Sequence, residues 1–318
     1  MGYAFGRYLH TSRRVPVGLI QSAWGGTVAE AWTSRAALEN AADPTIPPMV
    51  ERYRQLVAKF EKDEPELLAK HRQALAEHEE AVAKAKAEGK TPPPAPRRPS
   101  HPRQEPNHPC HLYNGMIAPL QPFAIRGVIW YQGESNAGRA FQYRTLLPAM
   151  IRSWRDGWGR GDFCFLIVQL APFDGNMTKP FWPELREAQL LTAQSVPNAG
   201  MVVITDLGDK MDIHPKDKDP VGLRLAVAAR ALAYGEPIEW SGPVFHKAEM
   251  KDHRAILTFK HVGGGLVARD GPLKGFTICG PDGQFHPAQA EIVGDTIVVF
   301  SPEVKEPVAV RYGRQNFP

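Results

Sequence analysis

Four short apolar runs constrain what this chain can fold into. They are VPVGLIQS (15–22), IRGVIWYQ (125–132), FCFLIVQL (163–170) and GMVVITD (200–206). A strand with one wet face alternates apolar and polar residues, whereas these runs are nearly continuous. They therefore predict strands covered on both faces. Amphipathic, helix-like segments follow them, at about 29–39, 140–154, 182–195 and 221–234. Strand then helix, repeated, predicts an α/β fold whose parallel sheet is built with crossover helices. A further helical pattern opens the chain, with Tyr3, Phe5, Tyr8 and Leu9 spaced for one face.

Two regions break this rhythm. Residues 49–88 read as one or two long charged helices, and Pro65 is expected to divide them into a solvated helical hairpin. TPPPAPRRPSHPRQEPNHP (91–109) follows, a Pro-rich extended segment. Residues 45–109 thus form an insertion, either a spacer or a partner-binding coiled coil. Beyond residue 240 the pattern becomes short strands between Gly, Pro and Asp turns: RAILTFKH, GFTICG, AEIVGD, TIVVFS and PVAVRYG. They predict a small antiparallel β-domain over 241–318. The main domain is then 1–44 together with 110–240.

Composition narrows the function. A net charge of +4 on 318 residues, with no Lys/Arg stripe interleaved with aromatics, does not suggest nucleic acid as a partner. No apolar run reaches the length of a membrane span, so no membrane association is expected. The three cysteines are too widely spaced for a disulfide framework or a metal pair, and Cys164 falls inside an apolar run as a small core residue. The opening residues hold no apolar signal-peptide core. Neither compartment nor oligomeric state can be read from the sequence.

In open parallel sheets, chemistry gathers beyond the carboxyl ends of the strands. Three runs end in reactive residue types. The first leads to Ser22, Gly25 and Gly26, the second to Gln132, Glu134, Ser135 and Asn136, and the fourth to a loop with Asp212 and His214. His214 has the character of a general base and Asp212 of its orienting acid; the other reading is a capping Asp beside a surface His. Gly25 and Gly26 can bring backbone N–H groups to an oxyanion, or simply make a tight turn. Gln132 can donate to the same oxygen, or satisfy loop backbone as a buried amide. Asp206, Asp209, Asp212 and His214 could also be metal ligands. No second His stands at ligand spacing and the acidic spacing matches no calcium loop, so neither metal nor other cofactor is expected.

The blocks VPVGLIQSAWGGTVAEAWTSR, LYNGMIAPLQPFAIRGVIWYQGESNA, WPELREAQ and DLGDKMDIHPKDKDPVGLRLA, in this order, resemble the sialate O-acetylesterase family of the SGNH hydrolases. The resemblance covers most of residues 3–240 apart from the insertion. It implies a flavodoxin-like three-layer α/β/α domain that hydrolyses acetyl esters on sugars by Ser-His-Asp chemistry, with an acetylated glycan as substrate. His214 would be the base and Asp212 its partner. Gly25 and Gly26, with the block of Gln132 and Glu134, would line the oxyanion and substrate site. Trp24, Trp130, Tyr131 and Trp182 would wall the sugar or acetyl group, or else pack the core. The family's nucleophile lies in a Gly-Gln-Ser-Asn-like block that would precede GYAFGRYLH, and these residues contain no such block. The chain is therefore expected to lack a first strand and its serine, and to fold poorly alone. Ser135, in a G-x-S-x setting that ends in Ala137, and Ser22 are the substitutes at hand. A non-catalytic carbohydrate-binding protein on the same scaffold is the alternative, and a structural role for the insertion a third reading.

Overall fold

Three of the four apolar runs pair as strands. The computed structural model describes residues 1–176, 182–269 and 271–318. In chain order its main elements begin with the helices α1 (Gly2–Arg13), α2 (Arg35–Glu39) and α3 (Pro47–Ala87). Then come β1 (Gly127–Trp130), α4 (Ala140–Trp158), β2 (Cys164–Val168), α5 (Trp182–Ser195), β3 (Ala199–Val202) and α6 (Asp219–Leu232). Seven strands follow: β4 (Val244–Lys251), β5 (Arg254–Lys260), β6 (Phe276–Cys279), β7 (Phe285–Pro287), β8 (Gln289–Val293), β9 (Thr296–Phe300) and β10 (Ala309–Tyr312).

β1, β2 and β3 form a parallel sheet in that order, with Ile129 opposite Leu166 and Leu166 opposite Gly200. Every residue of the central strand β2 is buried, which explains its unbroken apolar sequence. Phe165 and Ile167 point into a core shared with Leu146, Leu147 and Met150 of α4 and Leu185 of α5. Cys164, Leu166 and Val168 point the other way, onto Val221, Leu225 and Ala228 of α6, where Phe5 of α1 also packs. Helices thus cover both faces of the sheet.

The first run, 15–22, departs from expectation. It is not a strand, and Leu19 and Ile20 are 49% and 54% exposed. A strand exists only where a neighbour takes its N–H and C=O groups. β1 pairs with β2 alone, and its other edge has no partner among the described residues. The helical segment 29–39 also divides. Ala29–Trp32 is a 3₁₀ turn in which the Thr33 hydroxyl donates to Ala29 O at 2.8 Å. Ser34 then caps a new helix by accepting from Ala37 N–H.

The insertion is not a helical hairpin. α3 runs unbroken through Pro65, and only Val50 and Val57 in it are buried. Pro65 removes one backbone bond, a loss of about 3 kcal/mol. The flanking Glu, Leu, Lys and Ala residues are strong helix formers, with Lys70 paired to Glu66 at 2.6 Å. The return partner is the Pro-rich segment. His101 meets Phe60 with ring centroids 4.9 Å apart, and Arg103 pairs with Glu61 at 3.0 Å. Helix from 60 to 87 rises roughly 40 Å, and extended chain from 88 to 101 spans roughly 40 Å. The two lengths match, so the chain goes out as α-helix and comes back extended.

The C-terminal strands form two antiparallel sheets, β10-β6-β7 and β4-β5-β9-β8, around Leu257, Ile278 and Val299. All five expected strands are present. Sequence reading missed β4 and β7; β4 is almost wholly exposed and carries no alternating pattern, and β7 has only three residues. The final residues dock on α5. Buried Arg186 donates to the carbonyls of Gly313 and Gln315, and Phe173 N–H donates to Asn316 O at 3.1 Å. Burial pulls the Arg186 guanidinium down to about 10. Arg186→Leu leaves those carbonyls unpaired and is expected to cost on the order of 1–3 kcal/mol. Thermal melts of the two proteins check this, and an unchanged midpoint would contradict it.

Candidate active site

The loops after the first run and after β1 are joined by a buried polar network. Gln132 directly follows Tyr131 at the end of β1, and it is 9% exposed. Its side-chain N–H groups donate to Thr27 O at 3.0 Å and Asn136 Oδ1 at 2.7 Å, and its Oε1 accepts from Tyr143 at 2.9 Å. Asn136 Oδ1 also accepts from Ala29 N–H at 2.9 Å, and Asn136 Nδ2 donates to Glu30 Oε2 at the same distance. Arg139 completes the set by donating to Glu30 Oε1 at 2.6 Å. Both N–H groups of Gln132 are used inside this network.

Gly133 makes the turn possible. Its φ of 150° is sparsely open to L residues, and a Cβ there would stand 2.4 Å from Leu185 Cδ2. The turn delivers Glu134 to a part-buried position. Burial pushes its carboxyl above the ordinary carboxylate range, opposed by backbone N–H groups of Glu134 and Gly133 and by the charges of His214 and Lys218. Lys218 in turn is lowered by burial, against the pull of Glu134 and Asp212, and its Nζ lies 4.9 Å from the Tyr131 ring centroid. Glu134, Asp212, His214 and Lys218 therefore share one electrostatic neighbourhood, although they come from loops after different strands.

The Gly25–Gly26 turn is exposed, and Gly26 has a φ of 73°. Among the described residues neither glycine N–H has a hydrogen-bond partner. The turn is held from the insertion side by Asn107, which accepts from Val28 N–H at 3.0 Å and donates to Gly26 O at 3.4 Å.

His214 and Asp212 sit together but loosely. Asp212 Oδ1 accepts the His214 backbone N–H at 2.9 Å and stands 3.6 Å from Nδ1, beyond a hydrogen bond. The imidazole is 87% exposed. Asp206 is paired with Arg224, and Asp209 accepts the N–H groups of Met211 and Asp212, so both carboxylates are engaged away from His214. Ser22 donates to Met116 O at 3.1 Å, and Ser135 is exposed in a 3₁₀ turn. Neither is hydrogen bonded to His214. Trp130 and Trp182 are core residues, Tyr131 is half-buried and Trp24 is 55% exposed. Cys110 and Cys164 are buried thiols pushed up to about 11 by desolvation.

Sequence reading missed Glu30, Asn107 and Lys218. Glu30 carried a signal, an acid flanked by Val28, Ala29, Ala31 and Trp32 that must find partners when buried. Asn107 and Lys218 carried none.

Residues 103–231 match a family model described as carbohydrate esterase, sialic acid-specific acetylesterase. The sialate O-acetylesterase of Mus musculus is 32% identical over 278 residues, covering 81% of this chain and 47% of that protein. That of Homo sapiens is 30% identical over 278 residues, covering 81% and 44%. The chain thus spans about half the length of these curated relatives. The crystal structure of a carbohydrate acetylesterase from Xanthomonas citri aligns with a TM-score of 0.74 and 37% identity, over 100% of this chain and 60% of that one. Among the carbohydrate esterases, the chain is thus similar to the sialate O-acetylesterases over these spans.

Gly133→Ala is expected to lower stability by about 1–3 kcal/mol, from backbone strain together with the Leu185 clash. A denaturant titration with an unchanged midpoint would contradict it. The raised Glu134 carboxyl gives a pH signature. The folded state holds that proton more tightly than the unfolded state, so the contribution is full below the ordinary carboxylate pKa and is lost as pH rises through the raised value. Glu134→Gln should therefore gain melting temperature relative to the parent as pH rises from the ordinary carboxylate pKa, about 4, toward neutrality. A constant difference over that interval would count against the burial argument.

Proposed function

We propose that these residues carry the base and oxyanion side of a carbohydrate O-acetylesterase site on an SGNH-type, flavodoxin-like domain. That domain spans 1–44 and 110–240, with 45–109 inserted and 241–318 appended. One observation supports this reading above the others: three loops meet. The Gln132–Thr27 hydrogen bond joins the first loop to the second, and Lys218 of the third loop sets its Nζ 4.9 Å from the ring centroid of Tyr131, beside the second.

In this reading neutral His214 takes the proton of a serine hydroxyl as its oxygen attacks the acetyl carbonyl. Negative charge develops on the carbonyl oxygen. The unpartnered N–H groups of Gly25 and Gly26 are the donors for it, and Gln132 positions them through Thr27. His214 then returns the proton to the sugar oxygen as its bond to the acetyl carbon breaks, so the sugar leaves as a hydroxyl and the acetyl group stays on the serine. Water, activated the same way, releases acetate from the acyl-enzyme. Asp212 orients the imidazole once Nδ1 closes the last part of an ångström toward it, a tightening common on substrate binding. Neither Ser22 nor Ser135 bonds to His214, so the reading assigns neither of them the role of nucleophile. The same observation favours a second reading, in which this chain binds acetylated glycan without cleaving it.

Acetate release from an acetylated glycan by the protein as its source makes it is the test. His214→Ala is expected to lower kcat by on the order of 10⁴-fold, and Ser135→Ala to leave it near the parent. Full activity in His214→Ala would overturn the assignment of the base, and collapse in Ser135→Ala would make Ser135 the nucleophile. Saturable binding of the glycan with no acetate release would establish the second reading.

A further inference from the structure

A concavity opens beside the Gly25–Gly26 turn. The first turns of α3, the start of α2 and the returning segment around 103–114 enclose a cleft of about 730 Å³. That is within the size range of small-molecule sites, roughly 300–1,000 Å³. Trp24 forms part of its wall and immediately precedes Gly25. The Asn107 bonds to Gly26 and Val28 fix the returning segment against the same turn. The cleft and the proposed oxyanion donors are therefore parts of one surface.

Its lining has a definite chemistry. Trp24 presents a half-exposed indole. Tyr53 is a braced wall residue, stacked on His108 with centroids 4.5 Å apart, and its hydroxyl is bonded to His111. Three guanidinium groups face the cleft, and two are already neutralised. Arg54 is paired with Glu39 and Glu51, and Arg103 with Glu61. Arg35, the first residue of α2, is exposed and has neither a carboxylate nor a hydrogen-bond partner among the described residues. It lines the cleft together with Trp24 and Tyr53.

We propose that this cleft is a subsite for a carboxylate-bearing sugar residue joined to the acetylated one, with Arg35 taking the carboxylate and Trp24 and Tyr53 taking the sugar's apolar faces. An unpaired guanidinium suits a planar carboxylate. Aromatic walls suit the C–H faces of a pyranose ring, and continuity with Gly25 suits a ligand that spans both places. The identity of the neighbouring acetylated sugar rests on the esterase reading, but binding of the acidic sugar requires no hydrolysis. The insertion would then select glycan composition and not act as a mere spacer.

Isothermal titration of the 318-residue protein with trigalacturonic acid, and with cellotriose as the neutral counterpart, tests this directly. The acid is expected to bind saturably and about ten-fold or more tighter than the neutral trisaccharide. Arg35→Gln, a substitution on the surface, should remove that preference while leaving the melting temperature unchanged. Trp24→Ala should weaken both sugars. No binding of the acid, equal affinity for both sugars, or an Arg35→Gln protein that still prefers the acid would overturn the proposal. Acetate release is scored separately. An acid preference that depends on Arg35, without any acetate release from acetylated glycans by the protein as its source makes it, would sink the esterase reading and leave the subsite standing.

Discussion

Asn136 is 1% exposed and uses its amide entirely inside the protein, toward Ala29, Gln132 and Glu30. Everything proposed for the site depends on that residue and its neighbours. The Gly25–Gly26 turn and the Gly133–Glu134 turn belong to segments about a hundred residues apart. No strand pairing joins them, since the run at 15–22 makes no ladder with β1. Side-chain hydrogen bonds hold the two loops together instead. In a low-dielectric interior such a network is strong when complete, and each broken link leaves a costly unpaired group. This is a means of fixing two loops to within hydrogen-bond precision, as an oxyanion site requires.

The other half of the site is held differently. Asp212 and His214 lie on an exposed loop after β3, with one backbone hydrogen bond between them and an imidazole open to solvent. His214 is loosely held and the Gly25–Gly26 turn is tightly held. Glu134 and Lys218 connect the two electrostatically, each shifted by burial and each partly relieved by opposite charges. The insertion reaches the same place from outside through Asn107, so a segment with almost no core of its own contributes to the geometry of the turn.

Much of this could be read from the sequence, for identifiable reasons. The runs at 125–132, 163–170 and 200–206 are continuous because β2 lies between two helical layers and its neighbours share that shelter. The run at 15–22 reads the same way but forms no strand, because periodicity reports what a segment can bury and not whether a partner lies beside it. Pro65 was expected to break a helix that continues through it, since the flanking residues outweigh one lost bond and the Pro-rich return braces the helix at Phe60 and Glu61. Gln132, Glu134, Asp212 and His214 stood out because reactive residues at strand ends are expected to converge. The use of the Gln132 amide did not, because a side chain's partners are set by tertiary structure. Glu30 showed only as an acid in an apolar setting, and Arg35 as one arginine among many until the cleft left it unpaired.

The claim that the Glu30–Asn136 contact holds the site together is tested most directly by a double-mutant cycle on folding stability. Glu30→Ala, Asn136→Ala and the double variant would be compared with the parent by denaturant unfolding. The account predicts strong coupling, on the order of 1–3 kcal/mol, because each single change strands the other buried group and the second change then removes that penalty. Effects that simply add, to within about 0.5 kcal/mol, would show that the two residues act independently. The network would then not be what joins the two loops.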